Sequence, residues 1–158
     1  MAVGVGIAIS SIKEEEFKFS DNDIDSIDEK SLSIGFHLGF NVDVKKSSFT
    51  VKFTVVFNYD KKNDKYIQLL KFTTLTKFKV KGLKKIVNFD EENDDKFEIP
   101  DPIMVTFVGA AISSTRGMLA YKLSGTILSD YYLPLIDVQE MLKNYDDSFS
   151  GSEKDVVG

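Results

Sequence analysis

Cysteine and tryptophan are absent from this chain of 158 residues; histidine occurs once and proline three times. Without cysteine there is no disulfide framework and no thiolate metal site, a pattern that fits a reducing compartment. The lone histidine, His37, completes no metal site by itself, and no serine is tied to it by a nucleophile motif. It reads as a bystander on an outer sheet face. Few prolines beside 13 phenylalanines suit long strands. The apolar start MAVGVGIAIS lacks a positive n-region and makes a poor signal peptide. Gly4-Val5-Gly6 is a GxG with no strand before it and no helix after it, which does not support nucleotide binding. Asp21-Asn22-Asp23-Ile24-Asp25 opens like a calcium loop, but Ser26 stands where the turn glycine belongs and Leu32 where the bidentate glutamate belongs. Acid pairs are numerous, yet nothing places two of them across a cleft. No metal, no cofactor and no catalytic residue is expected, and the chain is not read as an enzyme.

What is present is globular. Hydrophobic residues make up 42% and charged residues 28% of the chain. A chain of this length buries about 70% of the surface its unfolded form exposes, so a core needs no covalent staple. One domain is expected over residues 1–145, with a flexible polar tail over 146–158. The formal net charge of −5 favours solubility and argues against a nucleic-acid partner. Lys52, Lys71, Lys77, Lys79 and Lys81 could form a basic stripe, but no aromatics interleave them to stack bases. A solvated strand face that resists edge pairing is the plainer reading.

Hydrophobic period two dominates the first half. Residues 7–19 alternate loosely, with Ile7, Ile9, Phe17 and Phe19 on one side and Glu14, Glu16 and Lys18 on the other. Residues 31–44 alternate without a slip, from Ile34 through Phe36, Leu38 and Phe40 to Val44. Residues 49–57 repeat the pattern, and residues 66–80 form a fourth, bulged strand. Acidic, polar segments separate them at 20–30 and 58–65, with a further acidic linker at 90–98. Four consecutive strands joined by turns favour an antiparallel meander.

The period then changes. From Pro102 the chain reads as one long, nearly all-apolar helix that ends near Gly125, with Asp101 placed to cap it. Residues 103–123 are long enough to span a bilayer, but Thr106, Ser113, Ser114, Thr115 and Arg116 interrupt the run, so stable membrane insertion is not expected and a soluble, cytoplasmic protein is. Gly109, Ser113 and Gly117 recur every four residues, a seam that permits close approach of another surface. The other side is apolar too, with Met104, Phe107, Val108, Ile112, Met118, Leu119 and Tyr121. A helix apolar all round must be covered all round. One sheet covers one side, so a second subunit is expected on the rest. Asp137-Val138-Gln139-Glu140 has capping-box spacing and announces a short last helix. Ile24 and Ile27 project from an acidic loop, while Leu133, Leu135, Met141, Leu142 and Tyr145 follow the long helix. These residues either form an apolar groove rimmed by acids or close the core.

Taken in order, the segments IKEEEFKFS at 12–20, FVGAAISSTRGMLAYKLSG at 107–125 and LPLID at 133–137 resemble the SecB export chaperones. The resemblance implies an α+β fold, with a four-stranded antiparallel sheet followed by a long helix and a short C-terminal helix. It implies a dimer of dimers with the long helices between sheets, here meeting through Phe107, Gly109, Ser113 and Gly117. It also implies an ATP-independent chaperone that holds non-native polypeptide clients in apolar grooves, here carrying Phe17, Phe19, Ile24, Ile27, Leu133, Leu135, Met141, Leu142 and Tyr145. The client would be an export precursor or, as in the toxin–antitoxin branch of the family, an antitoxin. Members that dock on the SecA motor present an acidic sheet face; here that face would carry Lys52, Lys71, Lys77 and Lys79, partly offset by Glu14, Glu16 and Asp43, which counts against SecA as a partner. A small-molecule or lipid carrier, with a pocket between sheet and helix, is the alternative.

Overall fold

A computed structural model of the protein describes residues 6–61, 65–89, 96–145, 149–150 and 154–157. The alternating segments form four long strands: β1 (Ile7–Phe19), β2 (Leu32–Asp43), β3 (Ser48–Lys61) and β4 (Lys65–Val80). A short helix α1 (Leu83–Ile86) and strands β5 (Asn88–Phe89) and β6 (Lys96–Glu98) lead into the long helix α2 (Asp101–Lys122). Helix α3 (Val138–Asn144) follows. Within the segment expected as a polar tail lie two short strands, β7 (Phe149–Ser150) and β8 (Lys154–Val157). The architecture is the expected α+β one, an antiparallel sheet followed by a long and a short helix.

The meander holds for β2, β3 and β4 and fails for β1. The order across the sheet is β1-β4-β3-β2-β8, so the first strand lies beside the fourth. A tight hairpin uses about two to five residues. The connection at 20–31 is longer than that and spans three strand spacings, about 14 Å. The 16 residues of β4 give β1 a full-length partner edge. At the other side, β8 pairs with β2 from Gly35 to Leu38, so the main sheet has five strands.

Two bulges in β1 decide which way its side chains point. The register with β4 skips Ser10, between Ile9 and Ser11, and Glu15, between Glu14 and Glu16. Residues paired directly across two strands share a face. Ile9, Ile12, Glu14 and Phe17 therefore join Phe78, Thr76, Thr74 and Phe72 on the side that carries the core. Simple alternation had grouped Glu14 with Glu16 and Lys18. Instead Glu14 turns to the helix side, where its carboxylate meets Lys122 Nζ at 2.7 Å. Glu16 goes to the opposite face, between Lys18 at 3.4 Å and Lys71 at 3.5 Å. Burial raises the Glu16 pKa, but the two ammonium groups outweigh it and hold the carboxyl below its ordinary value.

Helix α2 lies on the core face. Pro100, not Asp101, is its N-cap residue, and no side chain caps it; Asp101 is already helical and acts only as a first-turn acid. At the other end Gly125 adopts φ +81°, the left-handed conformation expected of it. Met104, Phe107, Val108, Ala111, Ile112 and Leu119 are buried. Phe107 stacks on Phe49, with ring centres 4.5 Å apart, and lies 4.8 Å from Phe78. Phe40 continues the cluster from Phe49 to Tyr145, whose hydroxyl donates to the Leu38 carbonyl at 3.4 Å. By length and composition α2 could cross a membrane, but the stacking of Phe107 between two strands is that of a core helix. It also fills the layer in which a carrier's pocket would lie.

One polar pair sits inside this core. Thr115 Oγ1 donates to its own helix at Ala111 O (2.7 Å), so Thr74 Oγ1, at 2.8 Å, must donate to Thr115. The pair fixes the position of α2 along β4. Thr115→Val leaves the Thr74 hydroxyl buried without an acceptor, and equilibrium urea unfolding should show a loss of about 1–3 kcal/mol. The double variant T74V/T115V should regain most of it, because neither member of the pair is then left with a hydroxyl to satisfy.

Candidate polypeptide-binding surface

After α2 the chain makes a series of turns rather than a second long helix. Thr126 N–H donates to Leu123 O (3.0 Å), Ser129 N–H to Thr126 O (3.1 Å) and Tyr131 N–H to Leu128 O (3.0 Å). Leu128 and Leu133 plug into the core and are buried. The segment between Leu133 and α3 is held from below by Arg116, in the middle of α2. Its Nε donates to Leu133 O at 3.0 Å and its Nη2 to Pro134 O at 2.8 Å. A guanidinium fork on two successive carbonyls fixes direction as well as position. Asp137 then caps α3 by accepting from Glu140 N–H at 3.1 Å, as the spacing predicts.

The side chains left pointing outward are large and apolar. Leu135 is 93% exposed and Tyr132 is 63% exposed. The loop between β1 and β2 approaches from the side. It carries Ile24 and Ile27, both half-buried against the core cluster. Tyr131 OH reaches Ile27 O at 3.5 Å and so joins the two segments. The loop is also tied to the end of β3, where Asp28 N–H donates to Tyr59 OH (3.1 Å) and Lys61 Nζ to Asn22 O (3.3 Å). Exposed acids edge the area: Asp21, Asp23, Asp25 and Glu29 on the loop, and Asp130, Asp137 and Glu140 around the last helix.

The predicted groove residues therefore divide. Leu135, Ile24 and Ile27 reach the surface. Phe17 and Phe19 are half-buried on β1, and Phe17 packs edge-on against Phe72 beneath Lys122 Nζ. Leu133, Met141, Leu142 and Tyr145 do not line a groove; they are 2–8% exposed and close the core beneath it. Val138, Met141 and Leu142 stand at i, i+3 and i+4 on α3 and so give it one apolar face, which turns inward. Of the predicted oligomer contacts, Phe107 is ruled out, because its ring is fully buried within its own protomer. Ser113 and Gly117 are exposed and Gly109 is half-buried, so the seam of small residues faces away from the sheet. Arg116 and Tyr132 were not singled out from sequence. The signal for Arg116 was available: a charge in the middle of an apolar helix needs partners, and a segment follows it in which Pro134, without an N–H, disfavours a strand ladder and leaves carbonyls to be satisfied by a side chain.

By sequence the chain matches no protein-family model and no curated protein. By structure it is similar to Rv1957, a SecB-like chaperone of Mycobacterium tuberculosis, solved in complex with a peptide from the HigA1 antitoxin. The match has a TM-score of 0.52 at 11% identity and covers 83% of this chain and 91% of that one. At that identity the likeness is one of fold, and the fold is SecB-like.

Arg116→Met should free the segment it holds. Backbone NMR order parameters at Leu135 and Ile136 should fall, and stability should drop by about 1.5–3 kcal/mol, the range for hydrogen bonds from a charged donor. Unchanged order parameters would mean that Leu128 and Leu133 alone hold the segment.

Proposed function

We propose that this protein is a divergent SecB-like chaperone that holds non-native polypeptide without consuming ATP. The observation that carries the reading is the outward display of Leu135 and Tyr132 over a fixed backbone, edged by carboxylates. Such a surface suits extended segments that are apolar and flanked by basic residues, since charge complementarity steers them and apolar contact holds them. The fold it shares with a chaperone captured on an antitoxin peptide supports a polypeptide client. The proposal extends to a dedicated client of that kind or to export precursors, and to a cytoplasmic location. Its activity is binding; no covalent step is assigned.

Assembly is part of the proposal. The outward seam of α2 bears Ser113, Gly117 and Tyr121, the last 85% exposed. On the same side of the sheet, Ile9 and Ile12 of β1 are 50% and 40% exposed. A small-residue seam beside uncovered isoleucines fits a second copy of the chain, with the dimer of dimers as the expected assembly.

Leu135→Asp should abolish suppression of client aggregation while circular dichroism stays that of wild type. Equal protection by the variant would remove Leu135 from the client surface. A Cβ added at Gly117 meets nothing within 4 Å in the protomer. Gly117→Leu should therefore leave protomer folding intact, and native mass spectrometry should show smaller assemblies than wild type. An unchanged mass would exclude the seam as the contact.

A further inference from the structure

At the end of the sheet remote from the candidate client surface, the outer face carries a lysine-lined cavity of about 330 Å³, bounded by Ser10, Lys46, Ser48, Lys77, Lys79 and Phe78. Lys77 and Lys79 stand two apart on β4, on one face, about 7 Å from each other. Their cross-strand partners are Ser11 and Thr50 for Lys77, and Ala8 and Ser48 for Lys79. None of these is acidic. Among the described residues, no carboxylate lies within ion-pair distance of the Lys46, Lys77 or Lys79 ammonium groups.

The same sheet face supplies a control. Farther along it, Lys52 is paired with Glu15 at 3.2 Å and Lys71 with Glu16 at 3.5 Å. Lysines there are neutralised by the bulged part of β1. At the cavity they are not, although the chain is acidic overall. The bulge that skips Ser10 brings that residue to the cavity wall. Between the lining residues Lys46 and Ser48, Ser47, at φ +51°, turns the β2–β3 connection and its carbonyl accepts from Val80 N–H at 2.8 Å. Asp43, the acid of this connection, accepts from Lys46 N–H at 3.1 Å and so caps the turn.

We propose that this cavity binds a short soluble oligophosphate, two or three linked phosphate groups, through the three ammonium groups and the Ser10 and Ser48 hydroxyls. Like charges held side by side repel unless a counter-ion bridges them. Hydroxyl donors beside ammonium groups suit phosphoryl oxygens, which accept several hydrogen bonds each. Toward the middle of the sheet the charge-paired rows at Lys52 and Lys71 end the positive field, and three ammonium groups around one cavity match a short polyanion. The exposed isoleucines of β1 lie on the opposite face of the sheet and so do not stand beside the lysines as a bilayer anchor would.

The test is calorimetric titration of the full chain with sodium pyrophosphate and tripolyphosphate at low ionic strength, with thermal unfolding in parallel. Saturable binding and a rise in Tm with ligand concentration are expected. The double variant K77Q/K79Q, with wild-type circular dichroism, should lose at least tenfold in affinity, and Lys46→Gln, away from the strands, should also weaken it. Absence of binding, or unchanged affinity in both variants, would overturn the proposal. So would an equal Tm rise with oligoglutamate of matched charge, capture by anionic phospholipid vesicles but not by free tripolyphosphate, or tighter binding of duplex DNA.

Discussion

Helix α2 has large apolar side chains on the face over the sheet and a seam of small residues, Gly109, Ser113 and Gly117, on the other, and the protein is organised around that asymmetry. Phe107, wedged between Phe49 and Phe78, fixes the helix against β3 and β4. The Thr74 and Thr115 hydroxyls fix it lengthwise. Once the large face is seated, Arg116 points toward the chain that follows and Ser113 and Gly117 face away from the sheet. A rotation of the helix by one residue, about 100°, would withdraw the guanidinium and bury the seam. The post-helix segment, the open seam and the core are thus consequences of one packing choice.

The bulges of β1 act in the same way on the sheet. An unbroken alternation would place Glu14, Glu16 and Lys18 on a single face. The extra residue at Glu15 divides them, giving Lys122 a partner on the helix side and Lys71 a partner on the outer side. The Lys122 ammonium also lies over the Phe17 ring, 4.5 Å from its centre. One inserted residue therefore serves both faces, and the outer face becomes a patchwork of paired and unpaired lysines instead of a uniform basic stripe.

Much of this was legible in the residues. Period two located the strands, Gly125 marked the helix end, and Asp137 with Glu140 marked the last helix. The order of elements carried the resemblance to SecB, and the fold is SecB-like. What was not legible depends on long-range packing. Nothing local says that β1 pairs with β4, because alternation specifies a face and not a neighbour. The groove residues Met141 and Leu142 read equally well as core until α3 is seated. In α2, apolar residues surround the axis, so the sequence did not reveal which side the sheet takes. Side-chain volume decides it, since Phe, Met and Ile fill the space over the sheet and Gly and Ser cannot.

The two carbonyls gripped by Arg116 bear on how such a surface lets go. A loop already immobilised before contact loses little conformational freedom when something lands on it, so the entropic penalty of association falls on the incoming chain alone. A polypeptide held there would have to stay extended, and its own collapse would compete directly with the grip. Release would then follow the partner's progress toward its native state.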